Sequence, residues 1–157
     1  MKKNFRKGAV GALMDEYERA AIELKFIVEN LGAEDYERIG DAETADEDCH
    51  SIQTIMNHVV HSGYGYANAV RRQTSMSPEP RERRQISRSE IGSEIDQMLA
   101  FTVETLDGKW EISYEEINKI IIELTESFSE NLEQLLEHAI VHVLRHRRQV
   151  EKFLLQK

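Results

Sequence analysis

The chain has 157 residues, enough for one domain over 1–157 with a real hydrophobic core. Its only prolines are Pro78 and Pro80, and this scarcity of turn residues argues against sandwiches and barrels. A formal net charge of −9 argues against general affinity for DNA or RNA, because phosphate binding needs a basic face.

The basic stretch Met1 to Lys7 is not followed by an apolar run of signal-peptide length, and no run of roughly 18 apolar residues occurs. No membrane span is expected. Cys49 is the sole cysteine, so no intrachain disulfide forms and a cytoplasmic location is the default expectation.

Four segments carry helical periodicity. From about Gly8 to Leu31, Val10, Leu13, Met14, Tyr17, Ala21, Leu24, Val28 and Leu31 fall on one face, with Gly32 placed for a left-handed helix end. Residues 33–48 are acidic and aperiodic and read as a loop. A second helix is expected from Ser51, a capping residue, to about Arg72, with Ile52, Ile55, Met56, Val59, Tyr66 and Val70 as its stripe. Gly63 lies on that stripe and reads as a site of close helix contact. The connection from Gln73 to Ile86 is long enough to cross a bundle. Its arginines, with Arg88 (Arg81, Arg83, Arg84, Arg88), alternate with acidic residues and read as a solvated loop rather than an anion site.

Ser87-Arg88-Ser89-Glu90 has the form of a capping box for a third helix carrying Ile91, Ile95, Met98, Leu99, Thr102 and Leu106, with Gly108 closing it. Residues 109–130 leave two readings open. Ser113-Tyr114-Glu115-Glu116 can cap a short helix, and Ile120-Ile121-Ile122 also suits an extended segment. The fourth helix starts at Asn131, with Gln134 reaching back, and carries Leu132, Leu135, Leu136, Ala139, Val143, Val150, Phe153 and Leu154.

Five of the six histidines lie on two of these helices, His58 and His61 on the second and His138, His142 and His146 on the fourth. Two imidazoles at i, i+4 project to one side of a helix, one turn apart, which lets both reach one metal ion. On a helical wheel His146 falls about 40° from the apolar centre, His142 about 80° and His138 about 120°. His58 falls about 130° away and His61 nearly opposite, so periodicity alone does not turn His58 inward. On the residues alone, a metal site and ordinary surface or core histidines both stay open. Cys49 precedes a helix N-terminus, where a thiolate is stabilised, but reads more simply as a structural or incidental cysteine. Glu94, Asp96 and Glu137 are carboxylates of the kind that orient ligand imidazoles, yet they read as solvated charges. Arg145, Arg147 and Arg148 likewise read as a solvated face rather than contacts for an anionic thiol.

The segments Ser51-Ile52-Gln53-Thr54-Ile55-Met56-Asn57-His58-Val59-Val60 and Leu135 to Gln149, with His142-Val143-Leu144-Arg145-His146-Arg147-Arg148-Gln149 inside it, give the sequence its likeness to a family. The chain resembles the DinB-like (DNA-damage-inducible, YfiT-like) superfamily of metal-dependent bacterial proteins over nearly its whole length. The resemblance implies an all-α, up-down-down-up four-helix bundle that forms a homodimer. It also implies a three-histidine site at His58, His142 and His146 for a divalent metal, nickel or zinc. Some relatives are thiol-dependent enzymes, which implies a small-molecule substrate and a low-molecular-weight thiol as cofactor. Three imidazoles and an open position describe a catalytic centre that activates a thiol or water. The rival reading is a non-catalytic metal-binding stress protein acting through dimerisation or a partner. An open pocket reaching the site separates the two.

Overall fold

Apolar residues recurring at three- and four-residue steps wind into helices along most of the computed structural model, which describes residues 5–156. Four are long: α1 (Gly8–Glu29), α3 (Ile52–Gln73), α4 (Ile91–Leu106) and α6 (Leu132–Leu154). Between them lie α2 (Ala33–Glu37), α5 (Tyr114–Ile117) and a hairpin of β1 (Ile121–Thr125) and β2 (Phe128–Asn131). The chain is an all-α bundle with this small two-stranded addition.

The expected caps form at α3 and α6. Ser51 Oγ accepts from the Thr54 N–H at 3.1 Å while Thr54 Oγ1 accepts from the Ser51 N–H at 3.0 Å. Asn131 and Gln134 exchange the same pair of bonds, each 2.9 Å. These reciprocal bonds satisfy donors that a helix start leaves free. Ser87 and Glu90 also bond, but the turn they make precedes the helix, which begins at Ile91. Gly108 closes α4 with φ of 74°. Gly32 does not play that part: α1 ends at Glu29 and Gly32 is extended, at φ −72°, where it leads into α2.

Residues 33–48 are more ordered than an aperiodic loop. They contain α2 and enter a single 3-10 turn, Glu47–Cys49, because one aromatic anchors them. Tyr36 is fully buried and its hydroxyl donates to the Ile86 carbonyl at 3.3 Å. In 109–130 both readings hold in succession. Ser113 and Glu116 form a capping box for α5, and Ile122 pairs with Glu130 across the antiparallel hairpin. Ile117 and Ile122 are buried and pin the segment to the core.

Cross-links between helices fix their directions. Arg88, just before α4, donates to the Leu31 carbonyl beyond the end of α1, and Lys25 near that end pairs with Asp96. So α1 and α4 are antiparallel. Ile86, also ahead of α4, is held by Gln53 and Asn57 in the first turns of α3, which makes α3 and α4 parallel. Arg147 near the end of α6 pairs with Glu23 on α1, making those two parallel. The result is up-down-down-up. A parallel neighbour cannot be reached by a tight turn, and the long connection 74–90 follows from that geometry.

Gly63 of α3 sits against side chains of α1 and α4. A Cβ there would overlap the Met98 side chain and crowd the Tyr17 hydroxyl. Among the described residues, no helix is long and apolar enough to cross a membrane.

Ser51 is 3% exposed and caps the helix that carries His58. Ser51→Ala is expected to lower stability by about 1 kcal/mol. The measurement is the shift in urea midpoint at constant m-value, and an unshifted midpoint would remove the cap from the account.

Candidate metal centre

The site begins with helix register. On α6, His142 and His146 stand one turn apart and face the seam with α3, with ring centroids 4.5 Å apart. His58 comes from α3, which runs against α6, and its ring centroid lies 4.9 Å from that of His142 and 5.1 Å from that of His146. One ring nitrogen from each of the three lies within 4.8 Å of the others. The closest pair is His58 Nε2 and His142 Nε2, at 2.9 Å.

The wheel position of His58 does not keep it outside. Its angle is measured from the middle of a stripe that packs into the bundle centre, whereas the side chain enters the groove along the α3–α6 edge. The 3-10 turn then closes over it. Asp48 Oδ2 and Arg83 Nη2 lie 3.0 Å and 3.3 Å from His58 Nδ1, and Arg83 Nη2 donates to the same carboxylate at 2.5 Å. Gln149 Oε1 accepts from His146 Nδ1 at 3.2 Å. A proton held at Nδ1 of His146 by Gln149 leaves Nε2 of that ring as the lone pair.

The electrostatics keep the α6 imidazoles neutral. Burial pushes the pKa of His142 from its ordinary 6.5 to about 3, helped by His146, His58, His138 and Arg145. Burial also lowers His146, with His58 next in weight and the bond to Gln149 opposing. Neutral imidazoles offer lone pairs to a cation; imidazolium does not.

The histidines open onto a cleft of about 490 Å³. Its walls include Asp46, Cys49, Arg145, Arg148, Gln149 and Lys152. Arg145, Arg148 and Lys152 form no ion pair among the described residues, so the mouth is cationic on a chain of net charge −9. Arg145 and Arg148 are exposed, as the solvated-face reading has them, and they line this cleft. Arg147 faces away and pairs with Glu23.

Cys49 agrees with the structural reading of the sequence and not with the thiolate one. It lines the cleft, and its thiol donates to Asp46 Oδ2 at 3.3 Å with Gln149 Oε1 at 3.7 Å. Burial raises its pKa and the Asp46 carboxylate raises it further, so the thiol form is favoured over a thiolate. The three carboxylates considered from sequence lie elsewhere: Glu94 pairs with Arg84, Asp96 pairs with Lys25, and Glu137 is exposed. His138 is a turn away from the cluster, against Glu130 and the Tyr66 ring, and His61 is exposed.

Sequence reasoning missed Asp48. Nothing in its spacing relates it to His58, since only closure of the connection brings them together. Gln149 was within reach, because a residue three after His146 shares its helix face.

A family model described as the DinB family matches residues 2–156. The chain belongs to the DinB family. Searches of curated proteins and of solved structures return no match. The DinB match spans all four long helices, so it includes both faces of the histidine cleft.

Because His142 titrates lower when folded, folding favours its neutral form. Its stabilising contribution is complete above the ordinary pKa of 6.5 and is lost as pH falls from there toward about 3. Metal-free protein is therefore expected to lose stability steadily on acidification below that value. His142→Gln should flatten the decline in urea midpoint with pH, and an unchanged slope would show that His142 is not held neutral.

Proposed function

We propose that His58, His142 and His146 bind one divalent metal ion, nickel or zinc, and that the protein is an enzyme activating a small thiol or water against an electrophile. The observation that carries this reading is the convergence of three imidazoles on an open, cationic cleft. The donor set fits such an ion. Imidazole suits zinc and nickel, and two nitrogens each about 2.1 Å from one ion stand roughly 3 Å apart or slightly more, near the 2.9 Å between His58 and His142.

When bound, the ion supplies Lewis acidity that lowers the pKa of a thiol or water at an open position. The chain's own residues do the rest. Gln149 holds a proton at Nδ1 of His146, and Asp48 with Arg83 flanks Nδ1 of His58, so both rings are oriented. Arg145, Arg148 and Lys152 attract an anionic substrate or thiol into the cleft. Cys49, held as a thiol against Asp46, serves as wall rather than nucleophile. The cleft favours the enzyme over the purely metal-binding reading, because a storage or structural site is served by a closed cage.

Protein purified without an affinity tag is expected to carry close to one nickel or zinc ion per chain, read by elemental analysis. His142→Ala should abolish that stoichiometry; a variant that keeps it would place the metal elsewhere. Asp48→Asn should retain the fold while weakening metal affinity by about 10- to 100-fold, measured by competition with a chelator. For catalysis, a fluorogenic electrophile and a panel of low-molecular-weight thiols should give turnover that chelation removes. No such turnover with any thiol, or with water alone, would leave a non-catalytic metal-binding protein.

A further inference from the structure

A second cavity, of about 250 Å³, lies on the other side of Arg83 from the histidine cleft. One wall is the face of α3 bearing His61 and Tyr64, and the other is the chain from Arg81 to Arg84, with Glu94 of α4 between them. The loop is built, not draped. The Ile86 N–H donates to Asn57 Oδ1 at 2.9 Å, and Ile86 itself is buried.

Three arginines, Arg81, Arg83 and Arg84, and two glutamates, Glu82 and Glu94, line the cavity. Arg83 is committed to Asp48, and Arg84 to Glu90 and Glu94. Arg81 has no carboxylate partner among the described residues, and its guanidinium stands 4.9 Å from the centre of the Tyr64 ring. Tyr64 is 3% exposed, and its hydroxyl is buried without a hydrogen-bond partner. Such a group costs free energy unless something supplies the missing bond, so an orphan in a cavity wall points to an absent partner. An O–H donor beside an uncommitted guanidinium calls for an acceptor that carries negative charge.

We propose that this cavity is a binding site for a small oxyanion, a phosphate or carboxylate group, held by Arg81 and the Tyr64 hydroxyl. The volume admits a small molecule or the anionic end of a larger one. Binding here does not depend on any metal at the histidine site.

The test is titration of the full chain with inorganic phosphate and, separately, with acetate, followed by amide NMR. Saturable shifts confined to 57–64 and 81–86 are expected with at least one of the two, and which one responds distinguishes phosphate from carboxylate. Arg81→Gln should weaken binding about tenfold or more, as loss of a charged hydrogen bond does. Tyr64→Phe should also weaken it while leaving the Tm unchanged or raised, since the hydroxyl has no partner to lose. The proposal is overturned if neither anion gives saturable shifts there, or if both variants titrate like the wild type. It is equally overturned if Arg148→Gln abolishes the response and Arg81→Gln does not, which would assign it to the histidine cleft. A fall in Tm for Tyr64→Phe with unaltered binding would give the hydroxyl a structural partner instead.

Discussion

Three imidazoles with ring nitrogens within 4.8 Å of one another cannot comfortably carry three positive charges, and much of the surrounding structure answers that constraint. Two like charges about 4 Å apart repel by roughly 1 kcal/mol in water and about 4 kcal/mol near a protein surface. Burial of His142 and His146 adds to the penalty, and both rings are held neutral. Neutral rings keep unprotonated the lone pairs that a metal ion would need. The cationic residues at the cleft mouth reinforce the effect, while Asp48 and Gln149 anchor the rings from behind.

Topology decides who stands around those rings. With α3 parallel to α4, the chain must cross the bundle between them, whereas the connection from α1 to the antiparallel α3 stays at one end. Residues of both connections become walls. Asp46, Asp48 and Cys49 arrive in the connection ahead of α3, and Arg81, Arg83 and Arg84 in the one ahead of α4. Tyr36 and Ile86 tie the two connections to each other through a single hydrogen bond. Arg83 touches the Asp48–His58 pair and lines the neighbouring cavity, so the two hollows share one side chain.

The long helices were legible because their apolar stripes and caps are local features. Ser51 with Thr54 and Asn131 with Gln134 start helices from signals three residues apart. The His142/His146 pair was legible for the same reason. Features that depend on tertiary closure were not. The inward turn of His58 depends on which edge of α3 meets α6, information that a wheel drawn on one helix lacks. The order in 33–48 rests on one buried tyrosine, too few apolar residues to make a period. The ambiguity over 109–130 reflected two real elements in succession, a capped turn and then a hairpin, each too short to dominate the pattern.

The parallel arrangement of α1 and α6 also puts the first turn of α1 and the last turn of α6 at opposite ends of the bundle. The first turn of α1 lies beside Trp110, at the far end of the bundle. The last turns of α6 run past Gln149 and Lys152, on the lip of the histidine cleft. A peptide continuing beyond α6 therefore starts near the cleft of His58, His142 and His146, and a polyhistidine extension there would bring further imidazoles close to those three. The same extension before α1 would begin about the length of a helix away.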